Sequence, residues 1–284
     1  MAFTASLRSC WTKLSRARSH RESLVAQITG HFSVPSNRPT LIAELDSADA
    51  CHIFRVASVP PIAHLQETVA VMIGDAVHNL RSALDHLVFQ LASVSTNGQL
   101  RYPQRVQFPI GNTATQYATQ QQNYLSEVNQ VYQSVIDSYQ PYQGIAGRPD
   151  SWSGPYIHQL SLLQHLSNWD KHRLLNTVLI IPGGAEFAFP PGIALAMPAL
   201  RSLSVDGMLR TSPFRNAGER LGVGVEVCRG RLLGPNVPAT IPDVGYVIPH
   251  IALEEKRPVA PTLERLERFV ETILSDFQAR LTSP

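Results

Sequence analysis

Hydrophobic positions recur at helical spacing in five segments of the chain, and at a period close to two in a few shorter ones. The clearest helical segment is Ala63–Ser93, where Leu65, Val69, Ile73, Ala76, Leu80, Leu84, Leu87 and Leu91 fall within one broad arc at 100° per residue. Near Ala5–Ile28, the residues Leu7, Trp11, Leu14, Leu24 and Ile28 predict a first helix with a basic outer face. Thr113–Tyr139 reads as a second long helix carrying Tyr124, Leu125, Val128, Val131, Tyr132, Val135 and Ile136 on one stripe. Tyr156–Asn176 follows, with Ile157, Leu160, Leu163 and Leu166 among its apolar positions. Pro261 then opens a last amphipathic helix with Leu263, Leu266, Val270, Ile273, Leu274, Phe277 and Leu281.

Thr40–Leu45 and His52–Val59 flank the turn-like Asp46-Ser47-Ala48-Asp49 and predict a hairpin, which Pro60-Pro61 ends. From Thr177 to Leu253 Pro and Gly become dense, and the runs Val178–Ile181, Gly222–Cys228 and Tyr246–Leu253 predict strands. The expected fold is mainly α, of α+β type: a four- to five-helix bundle core with a strand-rich insertion before the C-terminal helix. Residues 1–176 would hold the N-terminal helix, the hairpin and the bundle core. Residues 177–256 would form the strand-rich insertion or cap, and 257–284 a helix returning to the bundle.

Composition narrows the function classes. No run approaches eighteen apolar residues, so no membrane span is expected. A net charge of +2 gives no global attraction to polyanions, so any anion site must be a local patch. Cys10, Cys51 and Cys228 are widely spaced and lack a CxxC pair; they build neither a disulfide framework nor a zinc knuckle, and a cytoplasmic location is expected. Met1–Arg21 is rich in Arg and Ser and free of acids, as transit peptides are, but the helical spacing continues beyond it. No Walker A, GxSxG or HExxH pattern occurs.

Two polar constellations stand out. Opposite the apolar arc of the Ala63–Ser93 helix lie Asp75, His78, Asn79, Arg81, Ser82, Asp85 and His86. The middle two turns of this face lack the Glu, Lys and Gln of an ordinary solvated helix and use mediocre helix formers instead, which points to chemistry or to buried hydrogen bonds. The second constellation is Ser167-Asn168-Trp169-Asp170-Lys171-His172-Arg173, with His158, His165 and His172 seven residues apart along the same expected helix. Its Lys171, His172 and Arg173 also suit the negative end of a helix dipole.

Three functions are compatible with these residues. His86 and Arg81 can act as an acid/base and phosphate pair, allowing attack by an RNA 2′-hydroxyl without a cofactor. Alternatively, His78, His86, His165 and His172, with aspartates from two helices, can hold a metal ion in a bundle enzyme. Both clusters can also be structural, in a non-catalytic interaction or scaffold protein.

Arg81-Ser82-Ala83-Leu84-Asp85-His86 resembles the Arg-x4-6-His motif that the HEPN (higher eukaryote and prokaryote nucleotide-binding) superfamily carries in a long helix. The blocks His78-Asn79-Leu80-Arg81 with Leu84-Asp85-His86, and Asn168 with Asp170-Lys171-His172-Arg173, are also similar to those of an uncharacterised bacterial protein family. The HEPN resemblance implies a helical bundle that often dimerises, and a metal-independent ribonuclease of a toxin–antitoxin or phage-defence system or an inactive RNA-binding relative. It implies RNA, a second copy of the chain and an antitoxin-type protein as partners, and no cofactor. Arg81 and His86 would be the catalytic pair, supported by Asp75, His78, Asn79, Ser82, Asp85, Asn168, Asp170 and His172. Ser82 stands where members commonly have Asn, Asp or His immediately after the arginine.

Overall fold

The structure is a computed structural model that describes residues 5–144, 157–173, 175–181, 185–189, 191–196, 202–205, 208–211, 216, 218–253 and 256–282. Its helices are α1 (Arg8–Ser33), α2 (Ala63–Ser95), α3 (Ala114–Tyr124), α4 (Gln130–Ser138), α5 (Gln159–Asp170) and α6 (Val259–Thr282). The strands are β1 (Thr40–Asp46), β2 (Cys51–Ser58), β3 (Thr177–Ile180), β4 (Glu186–Phe187), β5 (Ala194–Ala196), β6 (Ser202–Val205), β7 (Met208–Thr211), β8 (Glu226–Leu233), β9 (Thr240–Tyr246) and β10 (His250–Leu253). Among the described residues, no helix is long and apolar enough to cross a membrane.

The expectation of a four- to five-helix bundle core with a strand-rich insertion is corrected. The protein is α+β, with a curled six-stranded antiparallel sheet in the order β4-β9-β1-β2-β8-β5. The hairpin forms as its alternation predicts, with Ala43 opposite Phe54 and Leu45 opposite His52. A lone hairpin, however, leaves two unpaired edges and half an apolar face. Here β1 takes β9 on one side and β2 takes β8 on the other. Leu41, Ala43, Phe54 and Val56 thereby bury against Val227, Cys228, Leu232, Ile241, Val244 and Val247. Phe54 meets Phe187 edge-on at 4.9 Å between ring centroids. The hairpin and the Pro/Gly-dense segment thus share one core, which is why the latter is no separate cap. β3 pairs with β10, and β6 with β7, in two-stranded ladders.

Contacts divide the chain into two units. One comprises residues 1–25, 70–175 and 260–284; the other comprises 26–69 and 176–259 and contains the six-stranded sheet. In the helical unit α2 buries Ile73, Leu80, Leu84, Leu87 and Leu91, and α6 buries Leu263, Leu266, Val270, Ile273 and Phe277. Two cations of the basic face expected on α1 pair with α6: Arg21 holds Glu267 through both carboxylate oxygens at 3.0 Å, and Arg18 meets Glu271 at 2.6 Å.

The stretch expected as one helix over Thr113–Tyr139 is two. Thr113 caps α3 by accepting from the Gln116 N–H, and Asn129 caps α4 by accepting from the Val131 N–H. The next helix is shorter than expected. Its expected first residue, Tyr156, lies outside the described residues, and α5 starts behind His158, whose Nδ1 accepts the Leu160 N–H at 3.2 Å.

Candidate functional site

The early end of α5 being fixed by the His158 cap, its far end places Asp170 against α2. Gly74, an isolated helical glycine, provides the space: a Cβ built there would lie 2.7 Å from Asp170 Cγ and 3.0 Å from Oδ2, with Oδ1 closer still. Absence of a side chain is what lets the carboxylate approach the helix backbone. The two constellations of the sequence therefore meet. Asp75 and His78 on α2 interact electrostatically with Asp170 on α5. His20, which the sequence reading passed over, joins from α1 with Nδ1 3.9 Å from Asp75 Oδ2.

Asp75 and His78 are exposed, whereas Asp170 is half-buried. Burial, and then the Asp75 charge, push the Asp170 carboxyl above the ordinary carboxylate range, and His78 pulls it back. The folded chain therefore keeps this proton to higher pH than the unfolded chain does. Its contribution makes stability fall as pH rises from about 4 through the raised value, and level off beyond. In urea unfolding between pH 4 and 7, Asp170→Asn should show a flatter pH slope than the wild-type protein. Equal slopes would mean that Asp170 carries no extra proton in the folded state.

The rest of the α2 face separates into different roles. Arg81 has 14% of its side chain exposed and is aimed inward. Its Nη2 donates to the Phe108 carbonyl at 2.5 Å and lies 3.1 Å from Asp85 Oδ1, and that same Oδ1 accepts the Phe108 N–H at 2.9 Å. Burial lowers the Arg81 pKa, against the opposing pull of Asp85 and then Tyr124. A guanidinium remains charged under such conditions, so the Arg81–Asp85 pair works as a charged clamp on one loop residue. Asn79 donates back to the Asp75 carbonyl at 2.8 Å. Ser82 is half-buried on the exposed arc between His78 and His86.

His86 is not at the Asp170 junction. It lines a cleft of about 410 Å³ with Ser9, Asp85, Phe89, Gln90 and Val106. On α5, Asn168 is exposed and accepts from Gln164 at 3.0 Å. His165 packs its ring against Trp169 at 4.1 Å, and Arg173 covers the same indole at 4.7 Å. Lys171, His172 and Arg173 are exposed in the turn after α5.

His158, His165 and His172 consequently form no common stripe: one caps α5, one packs within it and one lies past its end. The alternative metal set is likewise dispersed. Among the described residues no group of three or more His, Cys, Asp or Glu side chains is placed to hold a metal ion. What the junction can do is acid–base chemistry: two carboxyls and two imidazoles supply proton donors and acceptors, beside an exposed cationic turn. Comparisons with protein-family models, with curated proteins and with solved structures find no match.

Proposed function

We propose that the protein acts on RNA, as a metal-independent endonuclease or an inactive RNA-binding relative of one, with its acid–base chemistry at the Asp170 junction rather than at the Arg81/His86 pair that the HEPN resemblance names. The observation that carries the reading is the seating of Asp170 at Gly74, beside Asp75 and His78, with Lys171-His172-Arg173 directly after it. In this reading His78 accepts the proton of an RNA 2′-hydroxyl, whose oxygen attacks the adjacent phosphorus. The P–O5′ bond breaks and Asp170, in its protonated form, gives its proton to the leaving 5′-oxygen. The products are a 2′,3′-cyclic phosphate and a 5′-hydroxyl, and the exposed Lys171 would supply positive charge for the phosphate.

Arg81 supports a second reading. Its guanidinium is engaged by Asp85 and Phe108, so the pair named by the HEPN resemblance is not a free phosphate clamp, which favours the inactive, RNA-binding relative.

Incubating total cellular RNA with wild-type protein and with His78→Ala, Asp170→Asn and His86→Ala variants, with and without EDTA, separates these readings. Wild-type cleavage should survive EDTA and fall by about 100-fold or more in the first two variants, the usual cost of losing a general acid or base. Loss only in His86→Ala would move the chemistry to the Arg81/His86 pair. Loss in EDTA would favour the metal-dependent bundle enzyme. RNA binding without cleavage would identify the inactive relative, and neither binding nor cleavage would leave the scaffold reading.

A further inference from the structure

The cleft beside His86 combines an apolar wall with solvent-accessible polar groups. Phe89, with 40% of its surface exposed, and Val106 supply the apolar part. Gln90 is fixed by its oxygen, which accepts the Ser6 N–H at 3.1 Å, so its amide nitrogen remains a donor. Asp85 is fixed through Oδ1, which serves Phe108 and Arg81. Among the described residues, Asp85 Oδ2, the Gln90 amide nitrogen and the His86 ring have no hydrogen-bond partner. The polar edge thus offers an acceptor, a donor and an imidazole that can serve as either.

We propose that this cleft is a binding site for a single amino-bearing nucleobase: guanine, adenine or cytosine. The volume of about 410 Å³ is of the size that holds a small ligand. The exposed Phe89 ring gives a flat base a stacking partner, as aromatic platforms do in single-strand binding. The Asp85 carboxylate excludes a phosphate at this position and selects a donor, which an exocyclic amine provides. The Gln90 amide then meets a ring nitrogen or carbonyl. Uracil fits less well, because its one Watson–Crick N–H lies between two carbonyl oxygens that would face the carboxylate.

His86 follows His78 by eight residues, about 12 Å along the helix axis. The base site is therefore a separate subsite on the same α2 face as the acid–base junction. Nucleobase binding is measured without turnover, so it can hold where the ribonuclease reading fails, and the reverse.

Titration of wild-type protein with guanosine, adenosine, cytidine and uridine, followed by NMR of the His86 and Phe89 ring signals, tests the site. At least one amino-bearing nucleoside should bind saturably and more tightly than uridine. Phe89→Ala, at an exposed position, should weaken that binding about tenfold or more. Gln90→Glu should weaken it too, because it keeps the acceptor for Ser6 while removing the donor. No saturable shift with any nucleoside, or equal affinity in Phe89→Ala, overturns the proposal. A single-stranded oligoribonucleotide containing the preferred base distinguishes the source: tighter binding than the nucleoside assigns the site to a base within a strand, and equal binding assigns it to a free nucleoside.

Discussion

Replacing Arg81 by methionine is expected to destabilise the helical unit by about 2–3 kcal/mol, the usual cost of leaving a buried acceptor without its charged donor. Methionine keeps most of the side-chain length and apolar stem, so the loss is chiefly of the guanidinium. Two deficits then appear together. The Phe108 carbonyl, on a fully buried residue, loses the donor at 2.5 Å. Asp85, with 30% of its side chain exposed, keeps its charge with only the Phe108 N–H to answer it.

Among the described residues Arg81 Nη1 has no hydrogen-bond partner although it is buried, so part of the desolvation of the guanidinium is uncompensated in the wild-type protein. That places the expected value nearer the lower bound. His86→Ala is the control, because that ring makes no hydrogen bond among the described residues and should cost about 1 kcal/mol or less. Urea unfolding followed by far-UV circular dichroism measures both. An Arg81→Met protein within 1 kcal/mol of wild type would mean that the guanidinium does not hold Phe108, and would restore it as a candidate phosphate ligand. The comparison also governs how an inactive Arg81 variant is read: lost activity accompanied by lost stability says nothing about a phosphate contact.

The partner of Arg81 is why this role could not be read from the chain. The polar arc of α2 was legible, because its period separates Asp75, His78, Arg81, Asp85 and His86 from the leucines. The arc does not say what each residue meets. Arg81 and Asp85 meet the backbone of Phe108, and a backbone group has no signature in residue type. The sheet failed for a related reason. Alternation in residues 40–59 predicted the hairpin, but the pairing of β1 with β9 and of β2 with β8 joins segments about 190 and 170 residues apart, and no local period encodes such a partner. The split between α3 and α4 had a weak signal in Asn129, a good N-cap residue within an otherwise helical stretch. In the sequence Asp170 stands out for its company on one helix, whereas its position depends on Gly74 on another. An isolated glycine within a strongly periodic helix was the sequence signal for that approach.

Gly74→Ala tests the approach through a change of sign. In an ordinary helix interior, alanine in place of glycine stabilises by about 0.5–1 kcal/mol. Here the new Cβ would overlap the Asp170 carboxyl, and inserting an extra methyl into an occupied space typically costs about 1–3 kcal/mol. The expected net effect runs from neutral to a destabilisation of about 2.5 kcal/mol. The carboxyl can relieve the overlap only by swinging its short side chain away from α2, which also carries it away from Asp75 and His78. The variant should therefore fold and yet lose the acid–base junction, and the RNA cleavage proposed for that junction should fall in it as is expected for Asp170→Asn.

In an Asp170→Ala background the obstacle is gone, and the same Gly74→Ala change should stabilise by about 0.5–1 kcal/mol. This reversal isolates the contact between α2 and α5 from the helix propensity of residue 74, because propensity is the same in both backgrounds. Stabilisation in both would show that Asp170 is not seated against Gly74, and the junction on which the functional reading rests would fall with it.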